Sequence, residues 1–273
     1  MIENNNIAFR FENSLDFALN EDQIDALGKY RGEFWIPKQS GGKESIYLCG
    51  NSLGLQPKNT FSYVNQELED WKNLGVNGHV KSSNPWLSYH ESISESMAKV
   101  VGAKPIETVV MNTLTNNLHL GMVSFYRPSK KRYKILIESD AFPSDRYAVE
   151  SQVSFHGYNP KEGILKMKAR ENESLIRWKD LEECIEREGE SIALILLGGV
   201  NYYTGQYFDL KRIAEKGHKK GCMIGFDLAH AVGNVEINLH DSGADFAVWC
   251  TYKYLNSGPG AIAALFVHER HAQ

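Results

Sequence analysis

The sequence has no CxxC pair. Its four cysteines, Cys49, Cys184, Cys222 and Cys250, are widely separated. That spacing suits neither a zinc ribbon nor a dense disulfide framework, so reduced and mostly buried thiols are expected, with no metal. Long hydrophobic runs are also missing. The most apolar stretches, IALILLGGV (192–200) and GPGAIAALFV (258–267), are far too short to cross a bilayer. The opening MIENNNIAFRF has no basic region followed by an apolar one, so no secretory signal is visible. These absences predict a soluble, cytoplasmic protein with no membrane partner. Nor is there a basic excess: 30 Lys and Arg stand against 34 Asp and Glu, a net charge of −4. A general nucleic-acid binder would carry the opposite balance. Internal repeats and low-complexity segments are lacking, and 42% apolar residues make disorder, collagen and coiled coil poor readings. The 273 residues allow one large domain or two modest ones.

What is present falls into two zones. Residues 13–30 predict an amphipathic helix through Leu15, Leu19, Ile24 and Leu27. Pro57 is expected to open a second helix carrying Phe61, Val64, Leu68 and Trp71, with Gly75 just past its end. A third covers 86–101 and closes at Gly102. Short apolar runs then alternate with helical ones. Strands are expected at 134–139, 193–200, 223–230, 245–250 and 261–267, with helices after Pro143 and from Asp209 to Lys220. Continuous apolar strands separated by helices predict an α/β fold: a three-layer, mostly parallel sheet covered on both faces. The basic loop from Arg127 to Lys134 reads as a solvated turn. The last apolar strand stops shortly before Gln273 with no closing helix, which predicts an open sheet edge and an incomplete domain.

The chemistry concentrates in GFDLAHAVGN (225–234) and DFAVWCTYKYLNSGPG (245–260). Asp227 and His230 fall where one apolar strand ends, and Lys253 falls at the end of the next. In a parallel sheet both ends open on the same edge, where such sheets bind ligands. Taken singly, the Asp reads as a cap and the Lys as a solvated side chain. Together they suit pyridoxal 5′-phosphate: the Lys amine forms a Schiff base with the aldehyde, and the Asp pairs with the pyridinium nitrogen. His230 would stack on or bond near the ring, and the glycines of SGPG bring backbone close, as phosphate loops do.

These segments resemble the fold type I pyridoxal-phosphate enzymes of the aminotransferase class V group, and within it the kynureninases. The resemblance is carried in order by YLCGNSLGLQPK (47–58), MNTLTNNLHL (111–120), AFPSDRYAVESQ (141–152), GVNYYTGQYFDL (199–210), GFDLAHAVGN and WCTYKYLNSGPG. Cysteine desulfurases share the Asp/His/Lys frame but usually carry His before the Schiff-base Lys, where this chain has Tyr252.

The resemblance implies roles. Leu114 and Thr115 would meet the cofactor phosphate at a helix N-terminus, the alternative being that Thr115 is a simple helix cap. In the run Phe142, Pro143, Ser144 and Asp145, the Phe would stack on the pyridine ring and Asp145 would support the ring-nitrogen contact. Tyr252 would reach the phosphate beside Lys253. Position 198 often holds a small hydroxyl residue; Gly198 leaves backbone contact alone. Ser52 and His79 are candidate substrate contacts. The implied reaction is hydrolysis of L-kynurenine or 3-hydroxykynurenine to anthranilate or 3-hydroxyanthranilate plus L-alanine, a step of tryptophan catabolism and NAD biosynthesis. Lys253, Asp227 and Tyr252 would be the catalytic residues.

The implied layout is an N-terminal helical segment (1–75), contributing to a small domain and the active-site entrance, and a large cofactor domain (76–273) incomplete at its C-terminal end. Family members continue into a C-terminal small domain that supplies an Arg for the substrate carboxylate, and a homodimer is expected for the full-length protein. Another class V enzyme, a desulfurase or lyase, and a catalytically incompetent fragment are the competing readings.

Overall fold

The computed structural model describes residues 11–272; most of the opening MIENNNIAFRF run and Gln273 lie outside them. The helices are α1 (Leu15–Ile24), α2 (Thr60–Leu74), α3 (Gly78–Lys81), α4 (Tyr89–Val101), α5 (Leu114–Phe125), α6 (Pro143–Phe155), α7 (Pro160–Gly163), α8 (Trp178–Glu188), α9 (Leu210–Lys219) and α10 (Leu239–Ser242). The strands are β1 (Phe34–Trp35), β2 (Gln56–Pro57), β3 (Thr108–Val110), β4 (Lys134–Glu138), β5 (Ile164–Met167), β6 (Ile192–Gly198), β7 (Met223–Asp227), β8 (Phe246–Trp249) and β9 (Ala264–Val267).

Seven strands form one sheet in the order β3-β9-β8-β7-β6-β4-β5. From β8 to β5 every pairing is parallel, and β9 runs against both of its neighbours. The β6 run is apolar throughout because both of its faces are covered. Leu194 and Leu196 pack with Leu118 and Met122 of α5 and Val149 and Val153 of α6. Ile195 and Leu197, pointing the other way, pack with Leu181 and Ile185 of α8 and Ile213 of α9. This is the expected three-layer, mostly parallel sheet.

Several expectations are corrected. The last apolar strand is not an open edge, because β9 is inserted antiparallel between β8 and β3. Pro57 does not open a helix; it pairs with Phe34 in the small β1–β2 ribbon, and α2 begins at Thr60. The first helix stops at Ile24, followed by a 3-10 turn over Gly28–Glu33. The basic loop is not simply solvated. Arg132 donates to the carbonyls of Gly189, Ile192 and Lys220, tying the loop to the ends of α8 and α9. Of the four free cysteines, Cys222 and Cys250 are buried, Cys184 is half-buried and Cys49 is exposed. No helix among the described residues is long and apolar enough to cross a membrane.

The N-terminal segment stays off the core. The apolar row of α2 faces outward, with Phe61 77% and Trp71 68% exposed. A backbone hydrogen bond ties this segment to the turn after β8: the Gly54 N–H donates to the Tyr252 carbonyl at 2.8 Å.

Candidate active site

The parallel pairing of β7 with β8 sends both chains out at the same sheet edge. Asp227 is the last residue of β7, and Lys253 lies in the turn that follows β8. A cleft opens there between the ends of β4, β6 and β7 and the start of α6. Phe142, Asp145, Gly198, Asp227 and His230 line it, as do Glu138, Asn201 and Tyr202. Lys253 enters from the next turn; its side chain is buried and its Nζ lies 2.9 Å from His230 Nε2. The same Nζ is 5.8 Å from the centroid of the Phe142 ring.

Asp227 is oriented by its own turn: Oδ1 accepts the Ala229 N–H at 2.8 Å. Asp145, in the first turn of α6, is buried beside it. Burial pushes the Asp145 carboxyl well above the usual range, and the Asp227 charge and a hydrogen bond between the two push it further. Asp145 is therefore the protonated partner and Asp227 the acceptor. Ser144 Oγ donates to Asp145 Oδ1 at 3.3 Å, and Pro143 opens α6, where a missing N–H costs nothing. Burial and then the Lys253 charge push the His230 imidazole down to about 4, so the ring is neutral and can accept from the ammonium. Burial, then the Cys250 thiol, pushes the Tyr252 phenol up to about 12, which keeps its O–H as a donor.

Phe142 is half-exposed on the cleft wall and meets Tyr202 edge to face at 5.2 Å. A Cβ on Gly198 would meet Glu138 Oε2 and the Val200 carbonyl at 3.4 Å, van der Waals contacts that leave room for a small side chain there. Leu114 and Thr115 are the first two residues of α5. The cap of that helix is Thr113, whose hydroxyl accepts the Asn116 N–H, so the reading of Thr115 as a cap is corrected and its hydroxyl is left for another use.

The other two sequence candidates sit apart from the cleft lining. Ser52 is exposed in the turn after Cys49, in the segment that Gly54 joins to the lysine turn. His79 is exposed on α3 with its ring against Trp86 at 5.5 Å. Glu138, Asn201 and Tyr202 escaped the sequence reading. The signal that could have found Glu138 is its position: a carboxylate ending an apolar strand, on the edge where Asp227 ends its own.

Comparison with known proteins agrees with this geometry. The family model for aminotransferase class-V matches residues 46–273. A kynureninase of Myxococcus xanthus is 58% identical over 97% of this chain and 62% of its own length. The kynureninases of Flavobacterium psychrophilum and Homo sapiens are 56% and 50% identical, matched over 61% and 57% of their lengths. The chain thus spans about three fifths of the length of the curated relatives it matches. Among solved structures, a cysteine desulfurase of Thermococcus onnurineus superposes with a TM-score of 0.67 at 19% identity, over 82% of this chain and 54% of that one. A cystine C–S lyase gives the same TM-score at 14% identity, covering 82% of this chain and 57% of that one. At such identities these two show the shared fold alone.

Proposed function

The chain belongs to the aminotransferase class-V family, and from that premise we propose that it is the cofactor-binding part of a kynureninase, hydrolysing L-kynurenine or 3-hydroxykynurenine to anthranilate or 3-hydroxyanthranilate and L-alanine. That reaction would place it in tryptophan catabolism and NAD biosynthesis. The observation that carries the reading is the convergence of a buried Lys253 amine, a neutral His230 and the Asp145–Asp227 pair at one sheet edge. The identities of 50–58% to kynureninases support the substrate class.

The residues present fit pyridoxal phosphate. Lys253 would hold it through its amine, Asp227 with Asp145 behind it would face the ring nitrogen, and Phe142 would cover one ring face. The α5 N-terminus with Leu114 and Thr115, and the Tyr252 hydroxyl, would receive the phosphate. When bound, the group supplies an electron sink for negative charge developing beside the substrate amine. The chain's own residues do the rest. Asp227 keeps a negative charge at a fixed place because Asp145 gives it a proton to share. Lys253 would be the base for the α-proton. His230 holds that amine in place through Nε2 without adding charge. Tyr252, fixed as a donor, offers a proton. Ser52 and His79 belong to the same proposal as substrate contacts on the N-terminal side.

The division into an N-terminal segment (1–75) and a cofactor domain (76–273), a homodimer of the full-length protein and a cytoplasmic location complete the reading. The outward apolar row of α2 supports a covering partner. The deciding experiment assays aryl-acid release from kynurenine, and sulfide release from cysteine, by this chain and by the chain extended with the remainder of the Myxococcus xanthus relative. Aryl-acid release by the extended protein supports the proposal. Sulfide without aryl acid would replace it with a desulfurase.

A further inference from the structure

Strand β4 ends on a carboxylate that the reaction just described does not use. Glu138 is 5% exposed, and its Oε1 has no hydrogen-bond partner. It lines the cleft with Asp145 and Asp227, and its Oε2 would lie in van der Waals contact, at 3.4 Å, with a Cβ on Gly198. The groups around it are mostly uncharged or acidic. Met167 stands opposite on β5, and Gly198 and Asn201 lie on the β6 side. Asp227 comes from β7, Asp145 from α6, and Asp140 from the chain just past β4. His230, beyond Asp227, is neutral.

An ionised carboxylate with an unpartnered oxygen in such a place is costly. Three ionised carboxylates in one cleft would also repel one another. We propose that Glu138 is a positioning residue: held protonated behind the Asp145–Asp227 pair, it keeps a single negative charge on the cleft face that meets the ring nitrogen of a pyridinium ligand. The proposal rests on the pyridoxal-phosphate reading above. Burial, eased by Asn201 and the Gly198 backbone and reinforced by Asp227 and Asp140, pushes the Glu138 carboxyl up to about 7. The neutral form therefore prevails below that point, and ionisation above it adds a charge that disturbs the pair.

The test titrates pyridoxal phosphate into the wild-type chain, Glu138→Gln and Glu138→Ala across about two pH units centred on neutrality, reading visible absorbance and fluorescence quenching. Gln mimics the neutral acid. It is expected to bind within about threefold of wild type on the acid side and to lack the fall in affinity that wild type shows as pH rises through about 7. Ala is expected to bind about tenfold more weakly at every pH. Infrared spectra of the ligand-free proteins provide a second readout. A protonated-carboxyl stretch that titrates out near neutrality in wild type and has no counterpart in Glu138→Gln, whose remaining stretch is that of Asp145, supports the proposal. An inflection near neutrality that persists in Gln, or Gln binding as weakly as Ala, overturns it. Should Gln fail to fold, the wild-type infrared titration decides alone, and a wild type in which no carboxyl stretch titrates out near neutrality sinks the idea. If wild type binds no pyridoxal phosphate, the functional reading itself falls; if it binds while Gln and wild type titrate alike, only the role of Glu138 falls.

Discussion

The Nζ of Lys253 lies 2.9 Å from Nε2 of His230, and with the imidazole neutral the ring can accept a hydrogen bond there. An ammonium has donors only, so Nε2 accepts and the imidazole proton sits on Nδ1. Protonating His230 would set two cations against each other in a half-buried cleft. The bond therefore holds through the neutral range and fails in acid.

The pH dependence follows directly. Because burial and then Lys253 lower the His230 pKa from 6.5 to about 4, folding favours the neutral ring. That stability is fully present above the unfolded value and is lost as pH falls through 6.5 towards about 4. His230→Gln is neutral throughout. Wild type is expected to lose about 2 kcal/mol relative to this variant over that interval, after discounting for the half-open position. Paired urea melts at the two ends of the interval check it; a gap that stays constant would mean His230 is not held neutral.

Lys253→Ala is expected to abolish the visible absorbance of the cofactor-loaded protein, because no other amine among those described reaches the cleft wall beside Phe142. Asp227→Asn keeps the shape and the bond from Ala229 but removes the charge. It is expected to weaken pyridoxal phosphate by at least about tenfold. Equilibrium dialysis with the cofactor measures the second, and retained colour in the first would unseat the lysine.

The legible parts of this molecule were the ones whose physics is repetitive. The runs of β4, β6 and β7 are apolar between their ends because the sheet is covered on both faces, and the end of β7 carries Asp227, with Lys253 past the end of the next strand. Short or local elements were not legible. β3 has three residues and β5 has four, too few to show a period. The reversed direction of β9 leaves no mark in its composition. Pro57 suits a helix start as well as the edge ribbon it joins. Glu138 was passed over for another reason: a carboxylate ending a strand reads as a solvated strand end, and its place on the edge where Asp227 ends its own strand was the one signal against that.

The burial of Glu138 predicts a stability effect of opposite sense to that of His230. The Glu138 pKa is raised from 4.5 to about 7, so the fold prefers the protonated acid. The cost of keeping Glu138 grows as pH rises between those values and is constant above them. Glu138→Gln is expected to gain up to about 3 kcal/mol on wild type over that interval. Urea melts at both ends test this. A variant that loses stability at the alkaline end would show that the ionised carboxylate is needed.

Gly54 couples the N-terminal segment to the lysine turn. A Cβ there would lie 2.2 Å from the Lys253 carbonyl and 2.1 Å from Asn256 Oδ1, one contact being with backbone that cannot swing aside. Gly54→Ala is expected to cost about 1–3 kcal/mol and to push the segment off the turn, breaking the bond from Gly54 to Tyr252. Cofactor affinity should fall with it. A variant with wild-type stability and affinity would show that segment and turn are independent.

Asp245 tests the opposite end of the sheet. It sits just before β8, 2% exposed. Its Oδ1 accepts from Arg270 at 2.5 Å and His271 at 2.8 Å, and its Oδ2 from His218 at 2.9 Å and the Ile224 N–H at 2.7 Å. Burial pushes its pKa up, yet the bonds from His218, Arg270 and His271 outweigh that and hold it below 3.8. This stability is present above the unfolded value and is lost as pH falls through the folded one. Asp245→Asn strips the charge and one acceptor, leaving Arg270 without its counter-ion. At neutral pH it is expected to cost about 3 kcal/mol. Because the Lys253 turn lies past the far end of β8, pyridoxal-phosphate affinity per folded molecule should stay within about twofold of wild type. Urea melts and cofactor titration on the same preparation separate the two. Affinity falling in step with stability would show that the two ends of β8 are coupled, and the Asp245 cluster would then belong to the site rather than to the scaffold.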